Sequence, residues 1–81
     1  MDVIERQVAA IVAEVAELTP EEAAAGGTLA DAGIDSLMAV EIAVDVERLY
    51  GVRFAEKELK DVTSFESLVA LTRVKLGAAE P

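Results

Sequence analysis

Apolar residues recur at intervals of three and four in three separate stretches of this chain, and few folds accept that pattern within 81 residues. Ile4, Val8, Ile11, Val15 and Leu18 form one such stripe, which predicts a helix over residues 3–17 with Asp2 as its cap and Glu5 at the capping-box position. Advancing about 100° per residue from Ser36 gathers Ala39, Ile42, Ala43, Val46, Leu49 and Tyr50 in one arc, with Met38 at its edge. That arc is the expected core face of a helix over residues 36–50, with Asp35 as cap and Gly51 just past its end. Phe65, Leu68, Val69, Thr72 and Leu76 repeat the pattern and predict a last helix over 63–76, opened by a Thr63–Glu66 capping box. Between them, Val52-Arg53-Phe54 reads as short and extended with Phe54 turned inward. Residues 55–61 read as one short helix, with Leu59 and Val62 facing the core. The expected fold is all-α: a small four-helix bundle, three longer helices and one short, in a single domain over 1–81 with a frayed tail at 77–81.

The connection between the first two long helices is unusually long for so small a bundle, which suggests a functional or topological reason. Thr19-Pro20-Glu21-Glu22 carries a cap, a proline at the first helical position and acids in the first turn, but the signal ends almost at once. A single turn is expected there. Ala23 to Gly27 then reads as loop, flexible at Gly26-Gly27, and Thr28 to Asp31 as a further turn stopped at Gly33.

Charge narrows the function. Sixteen acids against seven bases leave a net charge of −9. This argues against nucleic acid and anionic membrane surfaces, both of which need Lys and Arg, and favours basic protein partners. Acidity that merely confers solubility is the plainer account. No stretch approaches a membrane span and no signal-peptide pattern follows Met1, so the expectation is a soluble, cytoplasmic monomer. Met1 and the short tail suggest a freestanding protein. The aliphatic core, with Tyr50, Phe54 and Phe65 as its only aromatics, is either simply small or adaptable enough to admit an alkyl chain.

Gly33-Ile34-Asp35-Ser36-Leu37 places a serine at a helix start with nothing to activate it. The chain has no His and no Cys, which excludes a Ser-His-Asp arrangement, thiol catalysis and thiolate metal ligation. None of Lys57, Lys60 and Lys75 lies a helical turn away in sequence. The expectation is therefore no catalytic residue and no metal site; if Ser36 takes part in chemistry, another enzyme acts on it. A helix start offers unpaired N–H groups and the positive end of the dipole, a favourable field for negative charge on Ser36. Asp35-Ser36 as a mere helix cap is the competing reading. The acidic clusters Glu21-Glu22 and Glu56/Glu58/Asp61 lack the spacing of a calcium loop and read as solvated faces. Opposite the core arc lie Ser36, Leu37, Val40, Glu41, Val44, Glu47 and Arg48: apolar residues beside the serine with charges around them. This is either a docking surface or, for Leu37 and Val40, packing beneath the long loop.

Asp35-Ser36-Leu37, with Gly33 before and Glu41 after, resembles the prosthetic-group site of acyl carrier proteins. The resemblance continues through Tyr50-Gly51-Val52, Phe54 and Val62-Thr63-Ser64. It implies a covalent 4'-phosphopantetheine on Ser36, carrying acyl groups as thioesters, with Asp35 and Leu37 contacting the modifying enzyme. It also implies docking by Leu37, Val40, Glu41, Val44, Glu47 and Arg48. The implied partners are a phosphopantetheinyl transferase, an acyl-loading acyltransferase or ligase, and a ketosynthase or other synthase enzymes. The long loop would let the first two helices sit non-locally. Leu37-Met38-Ala39-Val40-Glu41 is most similar to polyketide carriers. A peptidyl or aminoacyl carrier comes next, since Gly33-Ile34 supplies half of the glycine pair usual there. A fatty-acid carrier ranks third, because Met38 and Arg48 stand where acids are common. An unmodified helical adaptor is the reading from a different class.

Overall fold

The computed structural model describes residues 1–79. Among them five helices follow in order: α1 (Val3–Ala16), α2 (Pro20–Ala23), α3 (Ser36–Tyr50), α4 (Glu56–Lys60) and α5 (Phe65–Ala79). The architecture is the expected all-α bundle of three longer helices and a short one, with the single turn at Pro20 as a fifth. No strand forms among the described residues; one isolated antiparallel bridge joins Thr28 to Ser64.

Asp2 and Glu5 cap α1 reciprocally: Asp2 Oδ1 accepts the Glu5 N–H at 2.9 Å and Glu5 Oε1 accepts the Asp2 N–H at 3.1 Å. The buried face of α1 centres on Val8, Ala9, Val12 and Ala13, whereas Ile4, Ile11 and Val15 are only partly buried. The expected stripe ran through the large residues; the two alanines are buried because their small side chains let neighbouring elements approach closely. The helix stops at Ala16, because Glu17 adopts a left-handed φ of 57° and donates its N–H to Ala13 O. Thr19 and Glu22 cap α2 in the same reciprocal way.

In α3, Ile42, Ala43 and Val46 enter the core. Leu49, expected with them, is 49% exposed. Beyond α3 the chain folds back, Val52 N–H bonding to Glu47 O at 3.2 Å, and Val52 and Phe54 are buried. Gly51, at φ +68°, makes that reversal possible without the steric cost of a side chain.

The start of α5 also differs from expectation. Ser64, not Thr63, is the cap: Ser64 Oγ accepts the Ser67 N–H at 3.0 Å, and Ser67 Oγ, not Glu66, returns the bond to the Ser64 N–H at 2.9 Å. The two serines are short enough to close the box while Phe65 enters the core at 5% exposure. At its other end α5 continues to Ala79, so Gly77 to Ala79, expected as tail, are helical; residues 80–81 lie outside the described residues. Thr72, fully buried on α5, satisfies its hydroxyl by donating to Leu68 O at 2.8 Å. Arg73 of α5 reaches the cap of α1, with Nη2 2.6 Å from Asp2 Oδ2. No described helix is long and apolar enough to cross a membrane.

Candidate functional site at the start of α3

Ser36 is exposed as the first residue of α3, and the loop before it is firmly anchored. Thr28 and Asp31 brace the turn, Asp31 N–H donating to Thr28 Oγ1 at 3.0 Å. Leu29, buried, donates its N–H to Thr63 O at 2.9 Å, which sews the turn to the entry of α5. Gly33 then reverses the chain with a φ of +83°, and its N–H bonds to Ala30 O at 3.0 Å. Ile34, 6% exposed, pins the last step before the helix, its N–H bonding to Leu29 O at 3.0 Å. The long connection is thus not slack where it meets Ser36.

Asp35 is the cap. Its Oδ1 accepts the Met38 N–H at 2.9 Å and its carbonyl accepts the Ala39 N–H at 2.9 Å. Because Asp35 fills this role, the Ser36 hydroxyl is not needed to close the helix. It projects from the end where backbone N–H groups favour negative charge.

An apolar cleft of about 380 Å³ opens beside Ser36. Ala39 and Val40 of α3 form one wall, Leu59 and Lys60 of α4 another, and Leu29 and Val62 close the loop side. A second hollow of about 330 Å³ shares Leu29, Ser36, Ala39 and Val62. Sequence spacing kept every lysine away from Ser36; the fold brings Lys60 to the same cleft. Lys60 and Leu29 were missed as site residues because they join it through tertiary packing. The one available signal was Leu29, a large apolar residue, like Ile34, in a connection made mostly of Ala and Gly.

The outer face of α3 is open. Leu37 is 69% exposed and Val40 50%, so neither is packed beneath the loop. Val40, Glu41, Val44 and Arg48 line a shallow depression together with Asp45 and with Val15 of α1. Glu47 is not one of them. It is half-buried, and its Oε2 accepts the Phe54 N–H at 2.8 Å, so one of its two carboxylate oxygens is engaged within the chain. The chain reversal at Gly51 brings Phe54 to the outer arc, where Glu47 lies.

This geometry fits a phosphodiester-linked arm: an exposed hydroxyl at a helix start, a cap supplied by its neighbour, and an apolar cleft alongside. Residues 6–72 match the family model described as "Phosphopantetheine attachment site". Polyketide-8 synthase acyl carrier protein 2 of Streptomyces avermitilis is 44% identical over 64 residues, which are 79% of this chain and 69% of that protein. A non-reducing polyketide synthase of Aspergillus niger is 43% identical over 68 residues, 84% of this chain. The chain spans about 3% of that synthase's length. Among solved structures, an acyl carrier protein from Thermotoga maritima superposes with a TM-score of 0.74, covering 99% of this chain and 100% of that one. At 18% identity the likeness is one of fold.

Proposed function

Since the chain belongs to the phosphopantetheine-attachment family of acyl carrier domains, we propose that Ser36 is its attachment residue and that its cargo belongs to polyketide synthesis. The observation that carries the assignment is the exposed Ser36 hydroxyl at an Asp35-capped helix start, beside an apolar cleft. When bound, 4'-phosphopantetheine supplies a flexible arm ending in a thiol that holds acyl groups as thioesters.

The chain's own residues divide the remaining work. Asp35 holds the helix end in register, and Gly33 and Ile34 fix the approach to it, so the serine is presented at a defined place. The N–H groups of Ser36 and Leu37, at the unpaired end of α3, favour the phosphodiester's charge. The cleft lined by Ala39, Val40, Leu59 and Val62 shelters the apolar part of the carried group from water. Leu37, with Asp35, meets the modifying transferase. Val40, Glu41, Val44 and Arg48 form the landing place for the enzymes that load and use the cargo, an apolar centre with charges of both signs around it. With no His or Cys in the chain, the domain carries and presents, and its partners perform the chemistry. The polyketide assignment follows the printed names of the Streptomyces and Aspergillus relatives and the run Leu37-Met38-Ala39-Val40-Glu41.

Loading assays test the cargo class. The modified protein should accept a malonyl group from malonyl-coenzyme A through a polyketide acyltransferase and pass it to a ketosynthase. Efficient loading by an amino-acid-activating adenylation enzyme instead, with no malonyl transfer, would replace the polyketide reading with the peptidyl one.

A further inference from the structure

The short helix α4 forms one side of the Ser36 cleft, through Glu56, Leu59 and Lys60, yet little holds it there. It has five residues, none of them buried. A helix of that length has no stability of its own, so its position depends on ties to the rest of the chain. Its cap position is Ala55, which has no side chain to accept a hydrogen bond. Glu58 supplies only the reciprocal half of a capping box: its Oε1 accepts the Ala55 N–H at 2.7 Å. The same oxygen lies 2.8 Å from Lys75 Nζ on α5, and both side chains are 26% exposed, partly shielded from water. This is the one ion pair joining α4 to another helix among the described residues. The remaining ties are the partial burial of Leu59 and Val62 and, just before the helix, buried Phe54, whose N–H bonds to Glu47.

We propose that the Lys75–Glu58 pair is the latch that holds α4 as a wall of the cleft, and so determines how large an acyl chain the cleft shelters. Lys75 is a positioning residue. It is not among the residues lining the cleft, and acts through Glu58, which ties together the start of α4 and the flank of α5. With the latch closed, Leu59 stands opposite Ala39 and Val40. With it released, α4 swings on the connections at Phe54 and Val62, and the cleft widens. The proposal rests on the reading of the cleft as the shelter for carried acyl chains.

Hydrogen exchange on the unloaded full chain reads the latch by itself. In Lys75→Met, the amides of Leu59, Asp61 and Val62 should exchange about 2–5-fold faster, the ratio that one weak ion pair supports. Those of Val12 and Val46 should not change. Lys75→Arg should restore protection. Glu58→Gln, which keeps an acceptor for the Ala55 N–H but removes the charge, should behave like Lys75→Met. Butanoyl and octanoyl thioesters on the modified protein then test the cleft by their rates of cleavage with hydroxylamine. Lys75→Met should slow octanoyl cleavage relative to butanoyl by about 2-fold or more, and Lys75→Arg should not. Unchanged α4 exchange in Lys75→Met overturns the latch. Faster exchange with an unchanged octanoyl-to-butanoyl ratio overturns its role in cargo size. A wild-type chain that cannot be modified contradicts the carrier reading, while the exchange result still decides the latch.

Discussion

Glu47 Oε2 accepts the backbone N–H of Phe54 at 2.8 Å, across the reversal that ends α3. A residue on the outward arc of the helix thereby fixes the chain that enters α4. Glu47→Ala should leave that half-buried N–H without its partner and cost about 1–3 kcal/mol in chemical denaturation. Glu47→Gln, which keeps an acceptor oxygen, should cost less. If both variants melt like wild type while losing partner rate, Glu47 belongs to the docking surface after all.

The two faces of α3 should separate cleanly. Ile42 is 2% exposed, and Ile42→Ala should destabilise by about 2–5 kcal/mol, as truncations in packed cores do. Val40→Ala and Glu41→Lys lie on the open face and should leave the melting temperature nearly unchanged. Both should slow loading or transfer by a partner, and the Glu41→Lys defect should shrink as salt screens the attraction. Thermal melts and partner kinetics on the same proteins check this; a Glu41→Lys variant with wild-type kinetics at low salt would remove Glu41 from the interface.

Much of this arrangement was legible in the sequence because helical periodicity depends on local spacing. Ser36 at a helix start, Asp35 as cap, Gly51 at the helix end and inward Phe54 all follow from patterns a few residues long. What escaped depends on distant parts of the chain meeting. Lys60 joins the cleft only because α4 packs beside α3, and Leu29 only because its turn is tied to Thr63. Leu49 has a core-facing position by angle yet is half exposed, while Val52 and Phe54, folded back beyond Gly51, are buried. The Ser64–Ser67 cap was hidden by a better-known pattern, Thr63 with Glu66, one residue out of register.

The loop before Ser36 predicts a contrast between two glycines. Gly33 has a φ of +83°, and no atom lies within 4 Å of the place a Cβ would occupy, so Gly33→Ala should cost about 1–2 kcal/mol from backbone conformation alone. Gly26 has equal space and no positive φ, and Gly26→Ala should be near neutral. Equilibrium unfolding of both decides; equal costs would mean that the turn at Gly33 is not held in this conformation.

Acid should weaken the fold through three carboxylates. The Lys75 ammonium, and then the Ala55 N–H, hold Glu58 below its ordinary value of 4.5. The backbone N–H that Asp2 caps, with Arg73 beside it, lowers Asp2 from 3.8, and bonding to Thr19 lowers Glu22 from 4.5. Depressed values mean that the unfolded chain binds protons first as pH falls. The stability these groups contribute is therefore complete above about pH 4.5 and is lost as pH drops below it through the lower folded values. Melting temperature against pH should fall on that side, less steeply in Glu58→Gln. An identical slope in the variant would show that Glu58 carries none of the effect.

The assignment of Ser36 is tested most directly by the intact mass of the protein after incubation with coenzyme A and a broad-specificity phosphopantetheinyl transferase. Wild type should gain the mass of one phosphopantetheine, and Ser36→Ala, folded and melting like wild type, should gain none. An unmodified wild-type chain, or a Ser36→Ala variant that is still modified, would contradict the assignment.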